Sequence, residues 1–143
     1  MRLFLQRLKN KLTYIFQGAR TQDRKKLGKV GEVIAYRYLK RRGYTILEKN
    51  YKTRMGEIDI VALDGDILAF VEVKMRRSDI YGLPEEAINL KKMRKLQWLA
   101  QLYIKHKNLY NRKVRFDVVS ILARKGFCRK SIRLIKNAFY AEE

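Results

Sequence analysis

The sequence predicts an α/β fold in which a mixed central β-sheet is flanked by helices. Three observations carry this prediction. The elements run helix, three strands, helix, two strands. The stretch Ile67-Leu68-Ala69-Phe70-Val71-Glu72-Val73-Lys74-Met75 is apolar on both faces apart from two charges, as in a central strand covered on both sides. A hairpin followed by a helical crossover then places antiparallel and parallel pairs in one sheet.

Each element has its own signal. Leu27, Val30, Gly31, Ile34, Ala35 and Tyr38 recur at helical spacing, and Gly43 after Arg41 and Arg42 supplies a stop, so residues 22–42 are read as a helix. Glu32 lies on the flank of that apolar stripe, where it is either a solvated surface residue or a side chain able to reach the sheet edge. A first strand follows over 44–48 and a basic loop over 50–56, containing Lys52 and Arg54. Strands over 57–63 and 67–75 are joined around Asp64-Gly65-Asp66, a strong hairpin signal. A Gly65-Asp66 turn sets Asp59 opposite Glu72 and Glu57 opposite Lys74. An Asp64-Gly65 turn shifts the pairing by two residues and still leaves all four on one face, because side chains alternate with period two, whereas a three-residue loop would put Asp59 and Glu72 on opposite faces.

Beyond a loop at 78–83, Pro84, Glu85 and Glu86 at one end and Lys105 to Lys107 at the other delimit a helix over 84–107. Met93, Leu96, Leu99, Ala100 and Tyr103 form its buried stripe. Lys92 falls in the same stripe, so its ammonium either faces an anion or snorkels to solvent. Strands over 116–122 and 132–135 complete the sheet. Arg115 and Asp117 share a face and are expected to pair, which makes Asp117 structural.

Composition narrows the function. The 143 residues include 34 Lys and Arg against 14 Asp and Glu, a formal charge of +20, so a polyanionic partner is expected, nucleic acid first. A hydrophobic content of 47% excludes a wholly disordered polycation. The single Cys128 rules out an intrachain disulfide framework and a cysteine-rich zinc site, and no apolar run approaches the roughly 18 residues of a membrane span. A cytoplasmic protein is expected. Residues 1–20 read as a basic amphipathic extension ahead of one domain over 21–143. Within residues 1–16, Leu5, Leu8, Leu12, Ile15 and Phe16 repeat at helical spacing among Arg2, Arg7, Lys9 and Lys11. Such a helix contacts a membrane surface weakly, binds a partner, or lies on its own domain.

Against this polycation, the acids stand out. Between Arg54 and Lys74 there is no basic residue, while Glu57, Asp59, Asp64, Asp66 and Glu72 all fall there. Asp64 and Asp66 suit a polar turn. Glu72 lies inside an apolar strand, where a charge costs several kcal/mol unless paired or metal-bound. Lys74 could neutralise it alone. Asp59 opposite adds a second anion, and two close carboxylates together with a lysine are better satisfied by a divalent metal, which prefers oxygen ligands.

These residues also carry a resemblance. Gly28-x-x-Gly31-Glu32, Gly43-Tyr44, Asn50-Tyr51, Gly56-Glu57-Ile58-Asp59, Phe70-Val71-Glu72-Val73-Lys74, Lys92 and Arg115-Phe116-Asp117-Val118-Val119 together resemble the bacterial YraN family over residues 25–139. That family is similar to the PD-(D/E)xK nucleases and to the archaeal Holliday-junction resolvases. The resemblance implies a restriction-endonuclease-like core in which Asp59, Glu72 and the Val73 carbonyl hold Mg2+ or Mn2+. It further implies that Lys74 acts on the attacking water and the phosphate, and that Glu32 supports the metal. Ile58 stands where the superfamily motif usually has proline. The implied activity is metal-dependent hydrolysis of DNA phosphodiesters, on branched or single-stranded DNA, with Arg54, Arg76, Arg77 and Lys92 among the phosphate contacts. A homodimer would suit symmetric cutting of two strands. Two other readings remain: a nucleic-acid-binding protein without turnover, and a membrane-surface or partner-docking protein acting through residues 1–16.

Overall fold

The hairpin adopts the register with Gly65-Asp66 as its turn. In the computed structural model, which describes residues 2–78, 82–124 and 129–139, Asp64 pairs with Ile67 and Ile60 with Val71. Gly65 takes a left-handed φ of 60°, a conformation that costs glycine little. The elements are α1 (Arg2–Arg41), β1 (Thr45–Thr53), β2 (Gly56–Asp64), β3 (Ile67–Arg76), a 3-10 turn (Pro84–Ala87), α2 (Leu90–Lys107), β4 (Lys113–Arg124) and β5 (Arg129–Phe139). The strands stand in sequence order in one five-stranded sheet. Only β3 and β4 run parallel, because α2 carries the chain across between them; the other neighbours are antiparallel.

β3 is covered on both faces, as its composition demands. On one side Leu68 and Phe70 meet Leu96, Leu99, Ala100 and Tyr103 of α2, together with Ile58, Phe116 and Val118. On the other side Ala69 and Val71 join Ala35 and Leu39 of α1, with Ile60, Val119 and Ile121. Gly31 brings α1 against the sheet: a Cβ there would stand 3.0 Å from Met75 Cβ.

Five elements differ in their bounds from the sequence reading. β1 continues through the predicted basic loop to Thr53, leaving Arg54-Met55 as the turn. Pairing with β2 and burial of Tyr51, whose ring meets Tyr103 edge-on at 5.0 Å, outweigh the weak strand propensity of Asn50 and Lys52. The helix expected over 84–107 divides, because Asn89 caps a fresh start by accepting the Lys92 N–H at 2.9 Å. β4 and β5 extend further at both ends than 116–122 and 132–135. The amphipathic segment and the helix expected over 22–42 are one continuous α1.

Arg115 and Asp117 pair as expected. Asp117 is fully buried, and Arg115 meets both of its oxygens, at 2.7 and 2.8 Å. Tyr44 Oη donates to Asp117 at 3.2 Å and the Asn137 N–H does so at 3.0 Å. Arg115 reaches on to Asp64 at 2.7 Å.

Candidate metal centre

The site forms where β2 and β3 part. Ile58 belongs to the core under α2, whereas Ile60 belongs to the core under α1, so the alternation of β2 slips by one at Asp59. The carboxylate lies in the gap, and its Oδ2 accepts the Val73 N–H at 2.8 Å. Sequence parity alone put Glu57, Asp59, Glu72 and Lys74 on one face, and the slip changes that arrangement. Glu72 and Lys74 continue the α2 side of β3, following Leu68 and Phe70. Glu57 and Asp59 gather instead with Glu32 of α1, the three carboxylates lying within 4.8 Å of one another.

The two groups still meet through the gap. Burial raises the Asp59 carboxyl, the Glu72 charge raises it further, and it titrates at about 8. Glu32 is also raised, first by burial and then by the charges of Glu57 and Glu72, against a hydrogen bond from Asn50. Glu72 is 3% exposed. Lys92 and Lys74 approach its Oε1 at 3.3 and 3.6 Å, and its buried Oε2 has no hydrogen-bond partner. A buried carboxylate oxygen left without a donor is costly, and close carboxylates repel unless a proton or cation intervenes. The donor set is all oxygen, so Glu32, Glu57 and Asp59 could hold a hard metal ion.

A groove of about 910 Å³ between α1 and the β1–β2 hairpin carries these acids in its lining. Lys25, Lys29, Arg37, Lys49 and Lys52 line it too, and Lys49 Nζ lies 3.7 Å from the centre of the Tyr36 ring. Arg54, in the turn of that hairpin, borders an adjoining hollow with Lys52, Glu57 and Lys95. Arg77 is exposed, while Arg76 is half-buried and donates to the Gly82 carbonyl at 3.5 Å. Lys92 turns to Glu72, one of the two orientations that its place in the stripe left open.

Glu57 as a possible ligand, and the basic wall of α1, were missed from the sequence. A signal for the wall was present: Lys25, Lys29, Glu32 and Tyr36 follow one another at helical spacing and share a face.

A mixed five-stranded sheet between helices, with acids and a lysine assembled where two strands part, defines a restriction-endonuclease-like α/β protein. Comparison with known proteins then gives the family. The chain belongs to the uncharacterised protein family UPF0102, the YraN family, whose model matches residues 31–121. A UPF0102 protein of Alkaliphilus metalliredigens is 49% identical over 115 residues, covering 80% of this chain and 98% of the relative. Relatives from Clostridium tetani (47% over 115 residues, 80% and 94%) and Syntrophus aciditrophicus (49% over 112 residues, 78% and 87%) carry the same description. Among the described residues, no helix is long and apolar enough to cross a membrane.

Proposed function

We propose that this protein is a Mg2+- or Mn2+-dependent endonuclease that hydrolyses DNA phosphodiester bonds, with branched or single-stranded DNA as its substrate class. One observation carries the reading: on a chain of charge +20, buried Glu72 keeps an unpartnered oxygen beside the raised carboxyl of Asp59. Elsewhere the same fold satisfies a buried acid completely, with Arg115 on Asp117. Leaving acids unsatisfied at one place disfavours the metal-free fold, which is the usual cost of a binding site.

Asp59, Glu72 and the Val73 carbonyl are the ligands in this reading, with Glu32 in support. A divalent ion there supplies charge neutralisation on the phosphate oxygens and a nucleophilic water usable near neutral pH. The chain's own groups do the rest. The Val73 N–H fixes the Asp59 carboxylate, so no rotamer has to be ordered when substrate arrives. Lys92 and Lys74 hold Oε1 of Glu72, which leaves Oε2 free for the ion. Lys74 is one-third exposed at its side chain, so its ammonium can meet a phosphate oxygen and orient the attacking water. Lysines lining the groove, together with Arg54 and Arg77, contact phosphates without reading bases, which favours structure over sequence as the substrate determinant.

The test is cleavage of linear duplex, single-stranded and four-way-junction DNA with Mg2+, Mn2+ or chelator, comparing wild type with Lys74→Ala and Asp59→Ala. Metal-dependent nicking is expected, lost in both variants while DNA binding persists. Equal nicking by the variants would trace the activity to a contaminant and remove the assignment.

A further inference from the structure

The turn between β1 and β2 holds an apolar side chain out among cations. Met55 is 58% exposed, and Lys52 and Arg54 beside it are exposed too. The turn needs nothing from the methionine side chain. Thr53 Oγ1 accepts the Met55 N–H and donates to the Gly56 carbonyl, both at 3.1 Å. Gly56 has a φ of 146°, and a Cβ there would stand 2.5 Å from Lys95 Cε, so the stem of this α2 lysine closes over the turn. The backbone is thus fixed by its neighbours, and Met55 is left facing solvent.

Lys95 links the turn to a second exposed apolar group. Trp98 follows it by three residues on α2, which makes the two neighbours on the helix surface, and it is 42% exposed. Lys52, Arg54, Met55 and Lys95 line a hollow of about 400 Å³. Glu57 and Lys52 line both this hollow and the groove that carries Asp59, so the hollow adjoins the candidate metal centre.

A ligand for this place must offer an apolar surface and negative charge together. Phosphates alone satisfy the lysines and leave Met55 and Trp98 wet, and a closed duplex keeps its base faces stacked inside. Unpaired bases meet both needs, since each carries a π-face on an anionic backbone. Resting on the nuclease reading, we infer that Met55 and Trp98 receive unpaired bases beside the cut. Met55 enters the step where two strands separate, and Trp98 stacks on a base of the freed strand. Apolar side chains, methionine among them, serve as wedges between base steps, and bases leave the stack most easily where pairing is already interrupted. Selection of branched or single-stranded DNA follows, because a blunt duplex reaches the lysines but gives these two side chains nothing.

The experiment uses the full chain in chelator, so that binding is read without cleavage. Trp98 is the only tryptophan, so its fluorescence reports its own contact, and 2-aminopurine at the branch of a forked duplex reports unstacking. With wild type, forked DNA is expected to quench Trp98 and to brighten 2-aminopurine, whereas a blunt duplex of equal length does neither. Met55→Ala is expected to bind forked DNA about tenfold more weakly, to leave 2-aminopurine dark and to bind blunt duplex as wild type does. Its thermal melting should match wild type, since the bonds of the turn do not use that side chain. Full brightening in Met55→Ala, or an equal loss on blunt and forked DNA, would overturn the wedge. Trp98 fluorescence unchanged by forked DNA would overturn the stacking contact. Quenching by anionic phospholipid vesicles and not by DNA would replace bases with a lipid surface. Cleavage in Mg2+ or Mn2+ with these signals absent would leave the nuclease reading standing without the base contact, and the signals without cleavage would do the reverse.

Discussion

Asp59 Oδ2 accepts the backbone N–H of Val73 at 2.8 Å, so a side chain takes the place a strand carbonyl would otherwise fill. The paired register of β2 with β3 extends as far as Ile60 and Val71, and this bond lies just beyond it. One acid therefore performs two tasks: it satisfies a strand donor and it faces three other carboxylates.

The first prediction concerns pH. The Asp59 carboxyl titrates at about 8 in the fold against an ordinary 3.8. Below the ordinary value both states are protonated and nothing is contributed. Between the two values the folded chain binds a proton that the unfolded chain lacks, so stability falls as pH rises, and the full loss stands above about 8. Glu32 shifts in the same direction. Asp59→Asn should therefore raise the melting temperature of the metal-free protein at pH 8 by roughly 5 °C and barely change it at pH 4. Scanning calorimetry of both proteins across this range checks it; equal melting at pH 8 would contradict it.

Asp59→Ala should behave differently from Asp59→Asn. Alanine removes the acceptor and leaves the Val73 N–H unsatisfied, at a cost of about 1–3 kcal/mol. Amide exchange at Val73 should be much faster in the alanine variant than in the asparagine variant. Comparable protection in the two would show that the side-chain bond does not hold the amide.

Lys29 and Lys49 line the groove with the acids. Replacing either by alanine should weaken DNA binding in chelator for every sequence tested. It should also lower the slope of log K against log salt by about 1. Fluorescence anisotropy at several salt concentrations measures both quantities, and an unchanged slope would place the phosphates elsewhere.

Arg115→Ala leaves Asp117, fully buried, without its guanidinium. Breaking such a pair costs about 3–5 kcal/mol. Urea denaturation should register that loss, and Arg115→Lys should recover little of it, since an ammonium cannot contact both oxygens in a fork. A loss below about 1 kcal/mol would mean that the network around Asp117 relaxes.

Much of this is legible in the sequence. β3 announced itself by being apolar on both faces, and the Asp-Gly-Asp turn located the hairpin while leaving its register open, which the structure settles with Asp64 opposite Ile67. Asp59, Glu72 and Lys74 stood out because charges in an apolar run need a reason. The division of these residues between two faces was not readable, because the slip at Asp59 arises from α1 and α2 each drawing one isoleucine, Ile60 and Ile58, into its own core. β1 beyond residue 48 was hidden for a similar reason: Tyr51 gains its burial from Tyr103, a residue far away in sequence. Glu57 was placed beside Asp59 by spacing, but its closeness to Glu32 depends on how α1 docks, and that docking rests on the contact of Gly31 with Met75.

The unequal treatment of Asp117 and Asp59 has an evolutionary consequence. A mutation that removes Arg115 damages the fold, so its carriers are cleared along with the misfolded chain. Changing Asp59 to asparagine is expected to take away a repulsive charge and to leave a sturdier protein with its lysine-lined groove intact. On the nuclease reading proposed above, lineages that lose the acids would keep the groove lysines on a stable fold, and descent from enzyme to binder would require a single codon change with no compensating repair.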